Sequence, residues 1–586
     1  MKKLAAASIA ALLVFGSAQT ALAEVIYYNL SKQGNLNITD SDDEYVVTSD
    51  GETSNVITVS DGVKTYIVLQ GVTIKTTDEN GISIGKNANV VLELNGDNSI
   101  TVNTESYDEA KAGINVAEGD LTIKGGDTDS LTVKTVDSAG FAGSAGIGSD
   151  KNQNFSGTII IEGGNITAKS GEDGAGIGSG NSGDMTGSIT ISGGTVKAKS
   201  GDDGAGIGSG YRGDMTGSIT ISGGTVKAKS GDDGAGIGSG EDSDMSGSVT
   251  ISGGTVKAVS EDDGAGIGTG NDGEFTANIV ITGGDILAKS KSDGAGIGSG
   301  DDIDMDGSIV ISGGNISVKS NDGTGIGSSD DGYVTENGTI HIGGNANVNI
   351  TSKDSPGIGS ATLEQMNGSI IITDDASVDI TLNDIYVKSG IGATGKDDYD
   401  PTYGAQFNGS ISILEHASVN MKYDDPYYPD INDIPGIGIE GGSETGSITL
   451  STGASINGIS GADIEKLKKM GILDGVTKTE SVEPTPEPVE PVEPEKPARE
   501  SYSLTPLNLK QRIDKAQPGE TVSVSESQLS KGKLPSYILE ALALKEDVTL
   551  AIFCEEFCIL IPSDEAVADA GSKQFYTIDE LVKMYE

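Results

Sequence analysis

Paired aspartates recur along this chain at a fixed step. Asp202-Asp203, Asp232-Asp233 and Asp262-Asp263 stand thirty residues apart, and Asp293 continues the second position. Two neighbouring carboxylates can serve as general acid and base, or supply oxygen ligands to a hard cation such as calcium. Catalysis needs such a pair once, whereas this one forms a row. Stacked about 4.8 Å apart, like charges repel by about 1 kcal/mol even in bulk water. A column of them therefore attracts calcium, with Asp202, Asp203, Asp232, Asp233, Asp262 and Asp263 as its ligands. The competing reading makes each Asp a turn residue bonding its own backbone. A second acidic row, Asp184, Asp214, Asp244 and Asp304, has the same two readings.

The other reactive residue types are scarce. The only histidines are His341 and His416, and the only arginines are Arg212, Arg499 and Arg512. A polysaccharide lyase needs a basic group to take the proton beside the uronate carboxylate, and Arg212, next to Tyr211 in a variable loop, reads instead as a solvated residue. The lysine rows Lys197/Lys227/Lys257 and Lys199/Lys229/Lys289 read as a solvated face. Cys554 and Cys558 are too few for a zinc site, which wants about four ligands, and their spacing suits a strained local disulfide.

The element that positions the aspartates is the stretch Gly187–Gly210, GSITISGGTVKAKSGDDGAGIGSG. It recurs at Gly217–Gly240 and more loosely at Gly247–Gly270, with unit starts at Gly157, Gly187, Gly217, Gly247, Ala277 and Gly307. A period between about 20 and 50 residues marks a stacked array. Ile189 and Ile191 alternate with Ser188, Thr190 and Ser192; Val196 and Ala198 alternate with Lys197 and Lys199; Ala205 and Ile207 alternate with Gly206 and Gly208. Three period-two runs separated by Gly-rich corners predict three strands per coil. A helix is excluded by the period and by a Gly content costing about 1 kcal/mol per residue relative to Ala. The expected fold is all-β, a right-handed parallel β-helix of about 30 residues per coil, with Ile stacked on Ile and Val on Val. Some thirteen coils would give a rod roughly 60 Å long.

Met1–Ala23 carries Lys2, Lys3, an apolar run and Ala21-Leu22-Ala23, the pattern of a secretory signal peptide cleaved before Glu24. The run is too short to span a bilayer, so a secreted protein without membrane insertion is expected. Removing Lys2 and Lys3 takes the formal charge from −50 to −52. That charge argues against nucleic acid, whose phosphates need basic neutralisation, and favours solubility and cation binding. Residues 24–478 read as a capped β-helix, with an N-terminal cap over 24–53 and a closing helix at Asp463–Met470 whose buried face is Ile464, Leu467 and Met470. Residues 479–500 form a Pro/Glu-rich linker, extended because proline fixes φ and like charges repel. Residues 501–586 read as a small α/β domain, with helices at Leu507–Ala516, Ser536–Leu544 and Ile578–Tyr585 and a hairpin of Val548–Phe553 and Phe557–Pro562.

Two partial likenesses are weighed and set aside. Asp202-Asp203-Gly204-Ala205-Gly206-Ile207-Gly208-Ser209-Gly210 looks like the DD-x-x-A-I-x-S-G strand of the polygalacturonase family, but that family's Gly-His-Gly and Arg-x-Lys partners are missing. The hydroxyl ladder of Ser188, Thr190 and Ser192 resembles that of ice-binding solenoids, but Val280, Val310 and His341 interrupt it. The pattern from about Tyr27 to Gly446 resembles the secreted GAGIG-repeat β-helix proteins of Gram-positive anaerobes, through Ala112-Gly113-Ile114, Leu121–Gly126, Val90–Thr101 and the repeated GAGIG and G-[ST]-I-x-I-x-G-G segments. Those proteins resemble the calcium-containing polysaccharide-binding β-helix domains of cellulose-degrading clostridia. The resemblance implies binding of a polysaccharide, acidic plant glycan among them, at a cell surface without cleavage. It assigns no individual sugar-binding residue. The alternatives are a lyase or hydrolase of pectin-like substrates and a purely structural surface protein. Protein recovered from culture medium is expected to begin at Glu24, and N-terminal sequencing checks this.

Overall fold

The computed structural model describes residues 25–482 apart from short loop stretches, the longest being 395–405 and 425–434, and selected strand and helix positions between Ile513 and Leu581. The chain divides into two compact units, Met1–Thr485 and Pro486–Glu586.

The first unit is a parallel β-helix whose three sheets hold 16, 15 and 14 strands. One coil contributes Ser188–Ile191 to the first sheet, Thr195–Lys199 to the second and Ile207–Gly208 to the third. Each pairs in parallel with its copy thirty residues on, so that Ile189 opposes Ile219, Val196 opposes Val226 and Ile207 opposes Ile237. The alternating residues divide as their polarity dictates: Ile189, Ile191, Val196, Ala198 and Ile207 are buried, while Thr190 and Lys197 face out. Sixteen levels in the first sheet, against the thirteen expected, make the stack about 70 Å long.

A fourth ladder has no counterpart in the sequence reading. Single-residue parallel bridges join Phe155, Met185, Met215, Met245, Phe275, Met305, Val334 and Met366. All eight are buried. The variable loop of each coil is therefore pinned by one apolar side chain inserted into the core.

The corner at the third sheet is the tightest. Gly208 has φ +143, and a Cβ there would lie 1.7 Å from the carbonyl oxygen of Gly238. Buried hydroxyls support the turn: the backbone N–H groups of Gly210, Gly240 and Gly270 donate to Ser179, Ser209 and Ser239 Oγ at 3.1–3.2 Å.

Both ends differ from expectation. The segment 24–53, expected to be a cap, already forms coil: Val25–Asn29 pairs with Glu44–Thr48, and Leu36–Ile38 pairs with Ile57–Val59. Capping falls to the short helix Leu30–Gln33, which buries Leu30 and occupies the place in the chain of a second-sheet strand. At the other end the helix runs Ile464–Lys469 with Leu467 buried, but Met470 is exposed. Residues Thr479–Val482, expected to open the linker, instead add a strand to the first sheet beside Ile448–Ser451.

In the second unit Thr549–Phe553 pairs antiparallel with Cys558–Pro562 and parallel with Thr521–Ser525. Ile513, Ile538, Leu539, Leu542 and Leu581 are helical and buried. The rest of the expected linker and Cys554 lie outside the described residues, as does the side chain of Cys558.

Gly238→Ala places a methyl group against the carbonyl of Gly268. It is expected to destabilise the solenoid by more than about 3 kcal/mol or to prevent folding. Gly62→Ala, at φ +71 with open space around it, carries backbone strain alone and should cost about 1 kcal/mol. Denaturant melts of both variants check the difference.

Candidate functional site

The paired aspartates lie in the corner loop between the second and third sheets. Buried serines fix that loop to the coil above it. Ser200 Oγ donates to the Gly174 and Glu172 carbonyls at 2.9 and 3.2 Å, on either side of Asp173. Ser230 Oγ does the same to Asp202 and Gly204 around Asp203, both at 3.0 Å. Ser260 Oγ repeats it around Asp233. From another direction the variable loop, thirty-eight positions downstream, donates N–H groups to the same turns. Tyr211, Glu241, Asn271 and Asp301 bond the carbonyls of Asp173, Asp203, Asp233 and Asp263 at 2.9–3.0 Å. The variable-loop residue thereby comes to lie over the aspartate.

This frame gathers carboxylates into groups whose oxygens lie within 4.8 Å of one another: Asp173 with Asp202 and Asp203; Asp203 with Asp233 and Glu241; Asp232 with Asp233 and Asp262; Glu241 with Asp242 and Asp272; and Asp263 with Asp293 and Asp301. All six aspartates singled out in the sequence fall in these groups. Asp173, Glu241, Asp242, Asp272 and Asp301 were not anticipated. Asp173 shares the Asp203 column but follows a Glu instead of an Asp, which hid it. The other four come from the variable loop.

Burial, and after it the neighbouring charges, raises proton affinity. Burial is the main cause for Asp203, reinforced by Glu241 and Asp202, and Glu241 is likewise raised by burial. Asp233 is pushed up to about 7 by burial and then by Asp232. Asp301 is pushed up to about 7 by burial, with Asp302, Asp293 and Asp263 adding repulsion. Asp173 is 2% exposed and also raised by burial. Its Oδ2 accepts from Asn181 Nδ2 at 2.7 Å, while its Oδ1 is buried without a hydrogen-bond partner.

The second acidic row takes up backbone donors more closely than the first, where Asp233 and Asp263 accept the N–H groups of Asp263 and Asp293 at 3.4 Å. Asp184, Asp214, Asp244 and Asp304 accept the backbone N–H of Asp214, Asp244, Glu274 and Tyr333 at 3.0–3.2 Å. These carboxylates close the loop of the next coil, as turn residues do. On the second sheet Lys197, Lys227 and Lys257 stack in register and are exposed. Glu261 pairs with Lys229 at 2.7 Å and also with Lys291. Arg212 Nε donates to Asp242 at 3.0 Å, and its guanidinium lies 4.6 Å from the Tyr211 ring centre. His341 occupies the outward register position of Thr190.

At another corner, between the Met/Phe ladder and the first sheet, runs an open groove of about 620 Å³. It is lined by Thr186, Gly187 and Ser188, their copies Thr216–Ser218 and Ser246–Ser248, and Ser156–Thr158 and Asn278 at its ends. Five levels at about 4.8 Å make it roughly 20 Å long. Its lining is hydroxyl groups, the Asn278 amide and backbone, without a charged side chain. It ends at the level where Ala277 stands in the glycine position.

The β-helix repeat family matches five segments, residues 159–181, 189–211, 219–241, 249–271 and 279–301. They begin thirty residues apart and coincide with the most regular coils. No curated protein and no solved structure matches the chain. Fold and repeat agree: this is a parallel β-helix protein. Among the described residues no helix is long and apolar enough to cross a membrane.

The raised carboxylates set the sign of the pH dependence. Asp233 and Asp301 titrate near 7 when folded, against 3.8 for an unperturbed Asp. Between those values the folded chain holds protons that the unfolded chain has released, so stability falls as pH rises. In chelator, the melting temperature is expected to drop between about pH 4.5 and pH 8. Asp233→Asn should flatten that slope, and thermal melts across the range check it.

Proposed function

We propose that this is a secreted, non-catalytic binding protein that holds a polysaccharide along the hydroxyl groove. The observation that carries the reading is the repetition of Thr186 and Ser188 through Thr216/Ser218 and Ser246/Ser248 in one continuous groove. Sugar hydroxyls are donors and acceptors at once, and Ser and Thr match them in kind. A regular polymer meets equivalent groups at each level, so weak contacts add through multivalency. The glycines keep the floor low, leaving backbone in reach of the ligand. On this reading the signal peptide expected at Met1–Ala23 carries the protein outside the cell, where such polymers are found. A lyase or hydrolase, or a purely structural surface protein, are the rival readings.

The test is retention of the full chain on insoluble cellulose and on calcium-pectate gel, with and without chelator, followed by assay of released sugar. Retention without release is expected. Ser218→Glu, which places a charge and bulk in the groove, should reduce retention by about tenfold or more while leaving the melting temperature within a few degrees. Release of unsaturated or reducing ends would make the protein an enzyme, and no retention on either polymer would remove the glycan reading.

A further inference from the structure

We propose that the N-terminal end of the solenoid is a homodimer interface, where Val25–Asn29 pairs antiparallel with the same strand of a second copy about a two-fold axis. That strand is the terminal member of the 16-stranded first sheet. Among the described residues it pairs with Glu44–Thr48 alone. The helix Leu30–Gln33 takes the place in the chain of a second-sheet strand and adds no strand to this edge. An unpaired edge presents a row of backbone N–H and C=O groups to any further strand. The Asn29 N–H is taken by Gln33 Oε1 at 2.7 Å, which leaves Val25–Tyr28 as the run open to pairing. The contact lies at the end of the stack, apart from the hydroxyl groove, and stands whether or not a glycan binds there.

The side chains at this edge differ from those that protect edges elsewhere. Edge strands of monomers are blunted by charge, proline or a bulge. Val25–Asn29, VIYYN, carries no charge, in a chain of net charge −50. The terminal first-sheet strand at the other end, Thr479–Val482, carries Glu480 and runs into Glu483-Pro484. Among the described residues the exposed large apolar side chains are Val25, Tyr27, Tyr386 and Met470. Two of the four thus lie on this one strand, at 43% and 75% exposure. Behind Tyr27 the half-buried Val46 and Val68 continue the outer face in register. The regular coils carry Thr190 and Thr220 on the outer face of the same sheet, so the apolar surface is confined to the open end.

A second copy is the occupant because the strand is its own complement. A two-fold axis through Ile26, perpendicular to the sheet, sets Val25 of each copy opposite Tyr27 of the other. The two exposed residues then cover one another as an aliphatic–aromatic cross-strand pair. The two Ile26 side chains meet on the inner face. Ile26 and Tyr28 are only partly buried where they pack against the core, so the second copy also closes the end of the hydrophobic stack. The contact prolongs the sheet that already joins Val25–Asn29 to Glu44–Thr48. A two-fold contact stops at two copies, whereas pairing with Thr479–Val482 would run on as a filament. Joined this way, two copies present two hydroxyl grooves on one particle, a gain in avidity for any polymer that reaches both.

The experiment is analytical ultracentrifugation of the chain that begins at Glu24, the form expected in culture medium, from nanomolar to near-millimolar concentration. Backbone hydrogen exchange is followed at both ends of that range. Salt at about 0.15 M shortens the Debye length to about 8 Å, so that repulsion between two acidic copies does not mask the contact. A contact across one coil end falls in the transient class, below about 1,200 Å², and a reversible dimer in the micromolar range is expected. Exchange at Val25–Tyr28 should slow as the dimer forms, while exchange at Thr479–Val482 stays the same. Tyr27→Lys should weaken dimerisation by about tenfold or more. Its melting temperature in dilute solution should stay within a few degrees of the parent's, because the side chain is exposed in the single copy. Tyr27→Phe should dimerise like the parent, and so should Met470→Lys, which removes an exposed apolar residue at the other end. A monomer at near-millimolar concentration, a growing series of larger species, or a Tyr27→Lys chain that dimerises like the parent would overturn the proposal. Equal weakening in Met470→Lys would overturn it too, by showing adhesion between exposed apolar residues in general.

Discussion

A glycine carbonyl in one coil stands where a Cβ of the coil before it would have to be. The distance is 1.7–1.8 Å at Gly178, Gly208, Gly238, Gly268 and Gly298, which no side chain survives. This contact sets how closely successive coils approach at the third sheet. It lets strands of only two residues, such as Ile207–Gly208, keep their register. It also brings the following serine within reach of the next coil's backbone, as in the bond from Gly240 N–H to Ser209 Oγ. The corner loop and the variable loop flank this strand, so their alignment follows from it. The carboxylates meet because the backbone beneath them has no freedom to splay.

Electrostatics then works against the frame, and the two acidic rows resolve the conflict differently. Asp184, Asp214 and Asp244 lie where a backbone donor is available, and each accepts it. Asp233 accepts only a long bond from the Asp263 N–H, at 3.4 Å, and burial raises the proton affinity of Asp173, Asp203 and Asp233 alike. Composition is nearly the same in the two rows. The difference lies in which backbone groups the turn leaves pointing outward. The lysine ladder of the second sheet offers only partial relief: its Lys229 pairs with Glu261, which also draws on Lys291 in the corner loop.

Much of this was readable from the chain because a β-solenoid repeats its instructions. Alternation in Ser188–Ile191 and Thr195–Lys199 named the buried residues, and the thirty-residue step named their partners. The Met/Phe ladder was not readable, because one apolar residue in a polar loop has no period of its own within the coil. Its signal was present across coils, in Met185, Met215, Met245 and Met305 at the same step. The acids over the corner were hidden for another reason: Glu241 lies one coil and eight residues beyond Asp203, a separation that only the path of the loop turns into proximity. At the N-terminus Val25–Asn29 and Leu36–Ile38 lack the GAGIG corner, so strands that pair as ordinary coil looked like an irregular cap. Met470 followed helical spacing but falls just past the last turn, where burial ends.

The coils Gly187–Gly210 and Gly217–Gly240 are the same in sequence, so neither holds a unique place in the stack. Excision of residues 187–216 would join Thr186 to Gly217, recreating the Thr216-Gly217 junction. Ile159 would then oppose Ile219, and every ladder would close in register. Duplication of the same thirty residues would be accommodated equally well. Coil number is thus open to change by recombination within the coding repeat, one whole level at a time. Each such event would alter the length of the groove by one step. Because the incoming coil is identical, Asp232 and Asp233 would take the places of Asp202 and Asp203, so lineages differing by one repeat would differ in reach without any change of fold.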